Sequence, residues 1–287
     1  MRLILGIVGL LVFVAAYVTG IELYSGSGMG HPHQIAEGRS AADGTTVTID
    51  VEDVSSNNSV LTVNLAVVPG PALLDPLTGF LKEDLSVAVT SAVTPTKRTW
   101  SKGMLPGVFP VSLTVSGDVS DWPFDDYRSG PVMVDLFRGS APVPESTAAT
   151  FFDRLPGWKV TVRDAGKSDV PAPYRVEIQR SPSTVAFAVV LISVLITLAG
   201  LALFVAVQTV RDRRKFQPPM TTWYAAMLFA VIPLRNALPD SPPFGAWVDV
   251  TIVLWVIVAL VFSMTLYISC WWRHLKPDNP ADTVKPA

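Results

Sequence analysis

Residues 183–208 read STVAFAVVLISVLITLAGLALFVAVQ, and this apolar stretch decides the class of the protein. It contains no ionisable side chain, and as an α-helix it is long enough to cross a hydrocarbon core of about 30 Å. The basic segment RDRRK follows at residues 211–215. Because Lys and Arg in short loops mark the cytoplasmic side, this transmembrane helix is predicted to enter from outside and to leave inside.

A second apolar stretch occupies residues 1–24 at the N-terminus. Cleavable signal peptides usually have an apolar core of about 7–15 residues, which is shorter than this stretch. We therefore predict an uncleaved signal anchor, with cleavage near Ala16 as the alternative.

Two more apolar stretches lie towards the C-terminus, at residues 221–238 and 248–271. The first is interrupted by Pro233 and Arg235, so a re-entrant segment is the alternative to the crossing that we predict. The second ends in CWWRHLK, an aromatic belt followed by positive charge, which places its end on the cytoplasmic side.

Four crossings put every short segment rich in Lys or Arg on one side of the membrane. The loop 209–220 and the tail 272–287 are then cytoplasmic, and the loop 239–247 is extracytoplasmic. The sequence thus predicts a multi-pass plasma-membrane protein in contact with membrane lipids, with both termini cytoplasmic.

Residues 45–181 change from long apolar runs to an alternation of apolar and polar residues. TTVTIDVED and SVLTVNLAVV show the period of two that half-buried strands require. About seven such strands predict an extracytoplasmic antiparallel β-sandwich or barrel, and we take the sandwich as the expected form. Residues 25–44 lack this period and are predicted to be a flexible tether, so the expected fold is an α+β membrane protein with the sandwich between the first helix and three C-terminal helices.

Composition excludes several kinds of function. The 287 residues carry a net charge of only -2, so no basic field would attract nucleic acid. The single cysteine, Cys270, allows no disulfide within the chain and no thiolate zinc site. No catalytic or phosphate-binding motif is present, and we expect neither an enzyme nor a cofactor.

The densest short stretch is SGDVSDWPFDDYRSG, residues 116–130. The bond between Trp122 and Pro123 is a candidate for a tight or cis turn. We interpret the stretch as a structural corner facing the membrane helices, in which Asp125 caps the turn, Phe124 fills the sandwich edge and Tyr127 is packed.

Two groups of residues of metal-ligand type offer an alternative to that interpretation. The corner holds four carboxylates, at Asp118, Asp121, Asp125 and Asp126. They lack the calcium-loop pattern of an EF-hand. His31 and His33, with Met29, could bind copper, but no third fixed ligand accompanies them. No metal site is therefore predicted.

Further candidates for a structural or interaction role lie in the loop 239–247 or directly beside it. They are Arg235, Asp240 and Asp249. Arg235 lies near the end of its apolar stretch, where a long cationic side chain can reach the membrane interface.

The chain resembles an actinobacterial family of membrane proteins, abundant in mycobacteria and known only as a domain of unknown function. The resemblance rests on GDVSDWPFDDY, VVPGPALLDPLTGFLKEDLSV, LPGWKV, RSPSTVAFAV and RNALPDSPPFGAWVDVTIVLW, and it extends over nearly the whole chain. In its Tyr/Trp-Pro-Phe-Asp motif, Trp122 stands where the family usually has tyrosine, and Asp126 where it has arginine. The resemblance implies an envelope membrane protein without assigned activity or catalytic residues.

A second, local resemblance concerns residues 122–125, Trp-Pro-Phe-Asp. They are similar to the Phe-Pro-Phe-Asp corner of pentameric ligand-gated channels, which also join an exported β-sandwich to membrane helices. Those channels place four helices after the sandwich, whereas this chain is predicted to have one before it and three after it.

The function predicted from these features is a non-enzymatic binding or accessory subunit of a cell-envelope complex, acting through its extracytoplasmic β domain. The expected partners are other envelope membrane proteins or further copies of the chain. The alternative is an oligomeric channel or transporter component. An exposed apolar patch on the β domain would favour binding, and a ring with a polar lumen would favour a channel.

Overall fold

A computed structural model describes residues 14–15, 17–23, 25, 32–38, 43–94, 96–139, 145–164, 173–211 and 220–274. The chain divides into two compact units, Met1–Ala186 and Phe187–Ala287. The first contains the β-sheets and is called the β unit; the second is called the helical unit.

The β unit contains twelve strands among the described residues. They are β1 (His33–Ala36), β2 (Thr46–Ser55), β3 (Val60–Val68), β4 (Leu85–Val89), β5 (Thr96–Trp100), β6 (Phe109–Gly117), β7 (Asp126–Ser129), β8 (Val134–Arg138), β9 (Glu145–Thr147), β10 (Ala149–Asp153), β11 (Trp158–Asp164) and β12 (Tyr174–Arg180).

Eight strands form one sheet in the order β1-β10-β2-β3-β6-β7-β12-β11, and four form a second in the order β5-β4-β8-β9. Strand β11, at one end of the large sheet, approaches β1 and β10 at the other end, so this sheet is nearly barrel-shaped. The prediction of an antiparallel sandwich is therefore only partly right. The large sheet is mixed, because β10 joins β2 in parallel.

Strand β1 lies within the range 25–44 that the sequence predicts to be a tether. Residues 33–36 pair antiparallel with β10 and so belong to the sheet. Four residues with only two half-buried side chains give too short a pattern for the period of two to be visible.

The core of the β unit follows the predicted alternation. In β2 and β3 the inward-facing side chains are buried, namely Val47, Ile49, Val51, Leu61, Val63, Leu65 and Val67. Burying each such side chain contributes about 1.5–3 kcal/mol relative to exposure. This apolar core holds the sheet without a disulfide.

The described part of the helical unit includes α1, which begins in the β unit at Pro182 and ends at Val210. It is followed by α2 (Met220–Asn236), a π-helical turn (Asp249–Val253) and α3 (Leu254–His274). Within the residues that the structure describes, two helical segments are long and apolar enough to cross a membrane, Pro182–Val210 and Asp249–Cys270.

Helix α2 is shorter, since its 17 residues span about 26 Å. At the N-terminus the backbone is helical at residues 14–15, 17–23 and 25, and the rest of the predicted signal anchor lies outside the described residues. Most of the predicted cytoplasmic loop, residues 212–219, and the tail from residue 275 onward also lie outside them.

Candidate functional site

A buried ion pair lies where the β unit meets its first turn of α1. Arg180 donates from Nε to Oδ1 of Asp125 and from Nη2 to Oδ2, the latter at 3.0 Å. Their side chains are 1% and 0% exposed. The Tyr127 hydroxyl donates to Asp125 Oδ2, also at 3.0 Å. The carboxylate therefore accepts three hydrogen bonds inside the fold.

Strand parity explains why Arg180 points inward. In β12 the side chains of Tyr174, Val176 and Ile178 are buried, and Arg180 continues the same face. Tyr127 lies opposite Ile178 in the neighbouring strand β7. A charge on the core face requires a partner, because burying an unpaired charge is very costly.

Aromatic rings enclose the pair. The Arg180 guanidinium lies 4.2 Å from the ring centroid of Trp158 and 6.0 Å from that of Trp122. Tyr127 meets Trp158 edge to face, with centroids 5.8 Å apart. These five residues, Trp122, Asp125, Tyr127, Trp158 and Arg180, are called the junction cluster.

Burial, assisted by the adjacent Asp125 carboxylate, raises the pKa of Tyr127 to about 12. The phenol therefore stays protonated at neutral pH and remains a donor to Asp125. A guanidinium, a carboxylate and a phenol that satisfy one another leave no group poised to attack a substrate. The geometry of the cluster is that of a structural clamp.

The corner at residues 122–125 is built differently from its sequence-based description. The Trp122–Pro123 bond, which the sequence makes a candidate for a tight or cis turn, is cis. Phe124, however, is 67% exposed, so the expectation that it fills the edge of the sheet is wrong. Trp122 and Tyr127 take the interior positions on either side, and the intervening turn directs Phe124 outward.

Asp118, rather than Asp125, caps the turn before this corner. Its carboxylate accepts from the Ser120 amide at 2.9 Å and also from the Ser120 hydroxyl. These two bonds lower the pKa of Asp118 below its usual value. The expectation that Asp125 caps the turn is thus wrong, because its carboxylate is bound to Arg180.

Gly117, at the end of β6, lets the corner close. A Cβ atom at this position would lie 2.3 Å from the carbonyl oxygen of Asp126 and 2.5 Å from Cδ1 of Tyr127. Any side chain here would displace Tyr127 from the junction cluster.

The corner aspartates that could have bound calcium interact with different partners. Asp125 binds Arg180, and Oδ2 of Asp126 lies 3.1 Å from Nη2 of Arg128. Across the described ranges no three His, Cys, Asp or Glu side chains are grouped so that they could hold a metal ion. His33 lies in β1 with Nε2 3.9 Å from Oδ2 of Asp153, while His31 and Met29 lie outside the described residues.

The first turn of α1 is bonded to the sheet beside the junction cluster. The Ser181 amide donates to the Gly157 carbonyl at 3.0 Å, and the Thr184 hydroxyl donates to the same oxygen at 2.8 Å. A single residue, Ser181, separates the end of β12 from Pro182, the first residue of α1. The strand therefore passes into the helix without a flexible linker.

A second arginine–aspartate pair lies in the helical unit. Arg235 of α2 donates from Nε to Asp249 Oδ1 at 3.0 Å and from Nη2 to Asp249 Oδ2 at 2.7 Å. Arg235 Nη2 also donates to the Pro242 carbonyl at 2.6 Å, and the Gly245 amide donates to Asp249 Oδ2 at 3.1 Å. The pair thus fixes the loop between α2 and the π-helical turn.

Phe244 covers this second pair, with the Arg235 guanidinium 4.3 Å from its ring centroid. The ring itself is 83% exposed. Asp240, also singled out by the sequence, is an exposed residue of the same loop with a positive φ of 52°. The structure therefore brings Arg235 and Asp249 together and leaves Asp240 at the surface of the loop.

An exposed apolar surface lies elsewhere on the β unit, on two neighbouring loops. It consists of Leu77, Phe80, Met104, Leu105 and Val108, which are called the outer loop surface. The sequence-based candidates did not include these residues. The signal was present in DPLTGF and GMLPGVF, where apolar side chains stand among turn residues.

Backbone hydrogen bonds join the two loops. The Leu81 amide donates to the Met104 carbonyl at 3.1 Å, and the Gly103 amide donates to the Leu81 carbonyl at 2.9 Å. Between the loops lies a shallow cleft of about 290 Å³, which Asp75, Lys82 and Lys102 help to line. The apolar side chains are therefore held on an ordered base.

The sequence matches two known domain families. The domain of unknown function DUF4436 matches residues 35–178, half of the chain, which correspond to the sheets of the β unit. The chain belongs to the DUF4436 family.

The DUF4436 match is followed by a second domain of unknown function, DUF8686, over residues 180–274. This range covers the three helices α1, α2 and α3, so the boundary between the two matches falls at the junction cluster. No curated protein matches the chain. The predicted resemblance to a family known only by a domain of unknown function is confirmed, and neither match supplies functional residues.

Proposed function

We propose that this DUF4436 protein is a non-enzymatic, multi-pass protein of the actinobacterial plasma membrane that binds a protein partner through its extracytoplasmic β unit. The outer loop surface carries the proposal. Leu77 is 95% exposed, and four further exposed apolar side chains lie on the same two hydrogen-bonded loops. On soluble domains, groups of exposed apolar side chains often mark interaction sites, whereas single exposed apolar residues are common and need no such explanation.

The composition of this surface fits a protein partner. Its exposed side chains are apolar, and Asp75, Lys82 and Lys102, which line the cleft between the two loops, contribute charges of both signs. Apolar side chains next to polar groups of both charges are typical of protein–protein interfaces. A strongly anionic partner would instead favour a surface dominated by Lys and Arg.

The position of the surface within the β unit also favours a partner away from the membrane. Strand β6 begins at Phe109, directly after the loop that carries Val108, and ends at Gly117 beside the junction cluster. Nine residues in extended conformation separate these ends by about 26 Å. The outer loop surface therefore lies at the end of β6 opposite to the start of α1.

The chemistry of the described polar clusters supports a non-enzymatic role. In both arginine–aspartate pairs the charged groups are bound to one another, and the Tyr127 phenol is a committed donor. Catalytic sites usually contain groups with pKa values matched to proton transfer near neutral pH. The raised pKa of Tyr127 takes this phenol further from that range.

A crosslinking experiment tests the proposed interface in the native host. A photoreactive amino acid at Leu77 or Leu105 is expected to give one discrete adduct with the same partner protein. Met104→Asp should abolish this adduct, because a charge on the apolar surface would be desolvated in the complex without a counter-ion.

Val68 provides the matched control, since it is an exposed valine at the end of β3 outside the two loops. Val68→Asp should leave the adduct intact. Equal adducts in wild type and Met104→Asp would contradict the proposed interface.

We further propose the four-crossing topology, with α1 and α3 as two of the crossings and both termini cytoplasmic. The membrane-length apolar character of α1 and α3 supports it, as do the basic segments at their predicted inner ends. In a Cys270→Ser background, Ser101→Cys and Ser241→Cys should react with an impermeant maleimide in spheroplasts, and Gln217→Cys should not. Labelling at 217 without labelling at 241 would contradict this topology.

A further inference from the structure

Phe124 is an exposed aromatic side chain next to a fully buried cluster, and neither the fold nor the outer loop surface accounts for it. It is 67% exposed, whereas Trp122, Pro123 and Asp125 around it are buried. Its amide donates to the Asp121 carbonyl at 2.9 Å, so the backbone that presents the ring is fixed.

The ion pair joins the residue next to this ring to the end of β12, just before the start of α1. Asp125 follows Phe124 directly and is held by both guanidinium contacts of Arg180. Arg180 is the last residue of β12, and Pro182 begins the helix. Phe124 is therefore tied, through one neighbouring residue and one ion pair, to the first turn of α1.

The length of α1 sets the level of that first turn in a membrane. Its 29 residues span about 43 Å, which matches the thickness of about 40–45 Å that a bilayer has with its headgroup layers. The polar residues Ser181, Ser183 and Thr184 precede or open the helix, and the continuous apolar stretch begins at Val185. The start of α1 thus belongs to the outer headgroup layer.

We propose that Phe124 is a membrane-interface anchor, whose ring inserts at the headgroup level of the bilayer that α1 crosses. Exposed aromatic and apolar residues beside polar ones are typical of segments that lie at this boundary. The exposed carboxylates of Asp118 and Asp121 belong to the same loop and limit insertion to the headgroup layer, since charged groups are costly in the hydrocarbon core.

This inference rests on the proposed crossing of the membrane by α1 and is independent of the outer loop surface. Partner binding at the outer loops could fail without affecting it. The test therefore includes a position in α1 that reports the crossing separately.

The experiment uses full-length protein with Cys270→Ser, reconstituted in phosphatidylcholine nanodiscs with and without a nickel-chelating lipid. A nitroxide is attached at Phe124→Cys. Leu77→Cys, on the outer loop surface, is the matched exposed control, and Val190→Cys, an exposed position of α1, is the control for membrane crossing. Electron paramagnetic resonance power saturation measures how strongly headgroup nickel, dissolved oxygen and a soluble nickel complex relax each label.

Headgroup nickel is expected to relax the label at 124 several-fold more strongly than the label at 77. The label at 190 should favour oxygen over the soluble nickel complex, as hydrocarbon does. The anchor is overturned, and the crossing stands, if the label at 190 favours oxygen but the label at 124 is relaxed by headgroup nickel no more than the label at 77. The same holds if the label at 124 is shielded from all three relaxing agents. If 190 reports water, the proposed crossing fails and the anchor fails with it.

Discussion

The β unit and the helical unit each contain a bidentate arginine–aspartate pair, and the two pairs differ in sequence separation and in access to water. Asp125 and Arg180 lie 55 positions apart and are almost completely buried. Arg235 and Asp249 lie 14 positions apart, and the Asp249 side chain keeps 15% of its surface exposed. The same chemistry therefore holds a corner to the end of a strand in one unit and fixes a loop in the other.

Burial determines how much each pair contributes to stability. Removing one partner of a buried pair leaves an uncompensated charge and costs about 3–5 kcal/mol, whereas replacing both by apolar groups is often neutral. The β-unit pair therefore makes the fold depend on both partners at once. In the helical unit, water reaches part of the carboxylate, and the cost of losing the arginine is smaller.

Arg180→Met is expected to have the largest effect. It leaves the Asp125 carboxylate in the junction cluster without its counter-ion and should destabilise the β unit by about 3–5 kcal/mol. Denaturant unfolding of the full-length protein in detergent, followed by near-ultraviolet circular dichroism, measures this loss.

The double variant Arg180→Met/Asp125→Leu is the control for charge burial, and it should recover most of the stability. A single variant that unfolds at the wild-type denaturant midpoint would show that the buried pair does not stabilise the sheet.

Arg235→Met should have a smaller effect, confined to the loop between α2 and the π-helical turn. Ala246 is buried in this loop, so Ala246→Cys in a Cys270→Ser background reacts with maleimide only when the loop opens. Losing about 1.4 kcal/mol of local stability raises the labelling rate roughly tenfold. If Arg235→Met destabilised its unit as much as Arg180→Met does the β unit, the contrast between the pairs would be wrong.

Tyr127→Phe removes one hydrogen bond to the Asp125 carboxylate and should cost about 1.5 kcal/mol. It should also change the pH dependence. The pKa of Tyr127 is raised in the folded state to about 12 from its ordinary value of 10.0, so the stability that this phenol contributes is present below pH 10 and is lost as pH rises towards 12.

Unfolding free energies measured between pH 9 and 12 test this assignment. The wild type should lose more stability over that range than Tyr127→Phe does. Parallel curves for the two proteins would contradict a perturbed phenol in the junction cluster.

Phe124→Ala should have the smallest effect on stability, within about 0.5 kcal/mol, because the ring is exposed. The sequence alone suggested a packed ring, for which truncation would cost about 3–5 kcal/mol. The same denaturant measurement separates the two values. A loss above 3 kcal/mol would mean that Phe124, rather than the ion pair, fixes the corner.

The regular parts of the fold were predictable because their signals are local. Alternation in β2 and β3 follows from adjacent residues, and the long apolar stretch of α1 follows from composition. Arg235 and Asp249 could be named as candidates because they flank one short loop. By contrast, the parallel pairing of β10 with β2 depends on contacts between residues about a hundred positions apart, which no local pattern records.

Arg180 shows where a usable signal was overlooked. Its parity with Tyr174, Val176 and Ile178 places it on the core face of β12, and a buried guanidinium needs a buried carboxylate. The identity of that carboxylate was not predictable, because Asp125 competes with three nearby aspartates. Nor does composition reveal which aromatic residue of the corner points outward.

The direct passage from β12 into α1 has a mechanical consequence. Ser181 alone lies between the strand and the helix, and Ser181 and Thr184 each donate a hydrogen bond to the Gly157 carbonyl. The connection therefore contains no unstructured residues that could extend under load. A pull exerted at the outer loops would travel along β6 and through the Asp125–Arg180 clamp as tension. It would reach the first turn of α1 as a force instead of being absorbed by an extending tether.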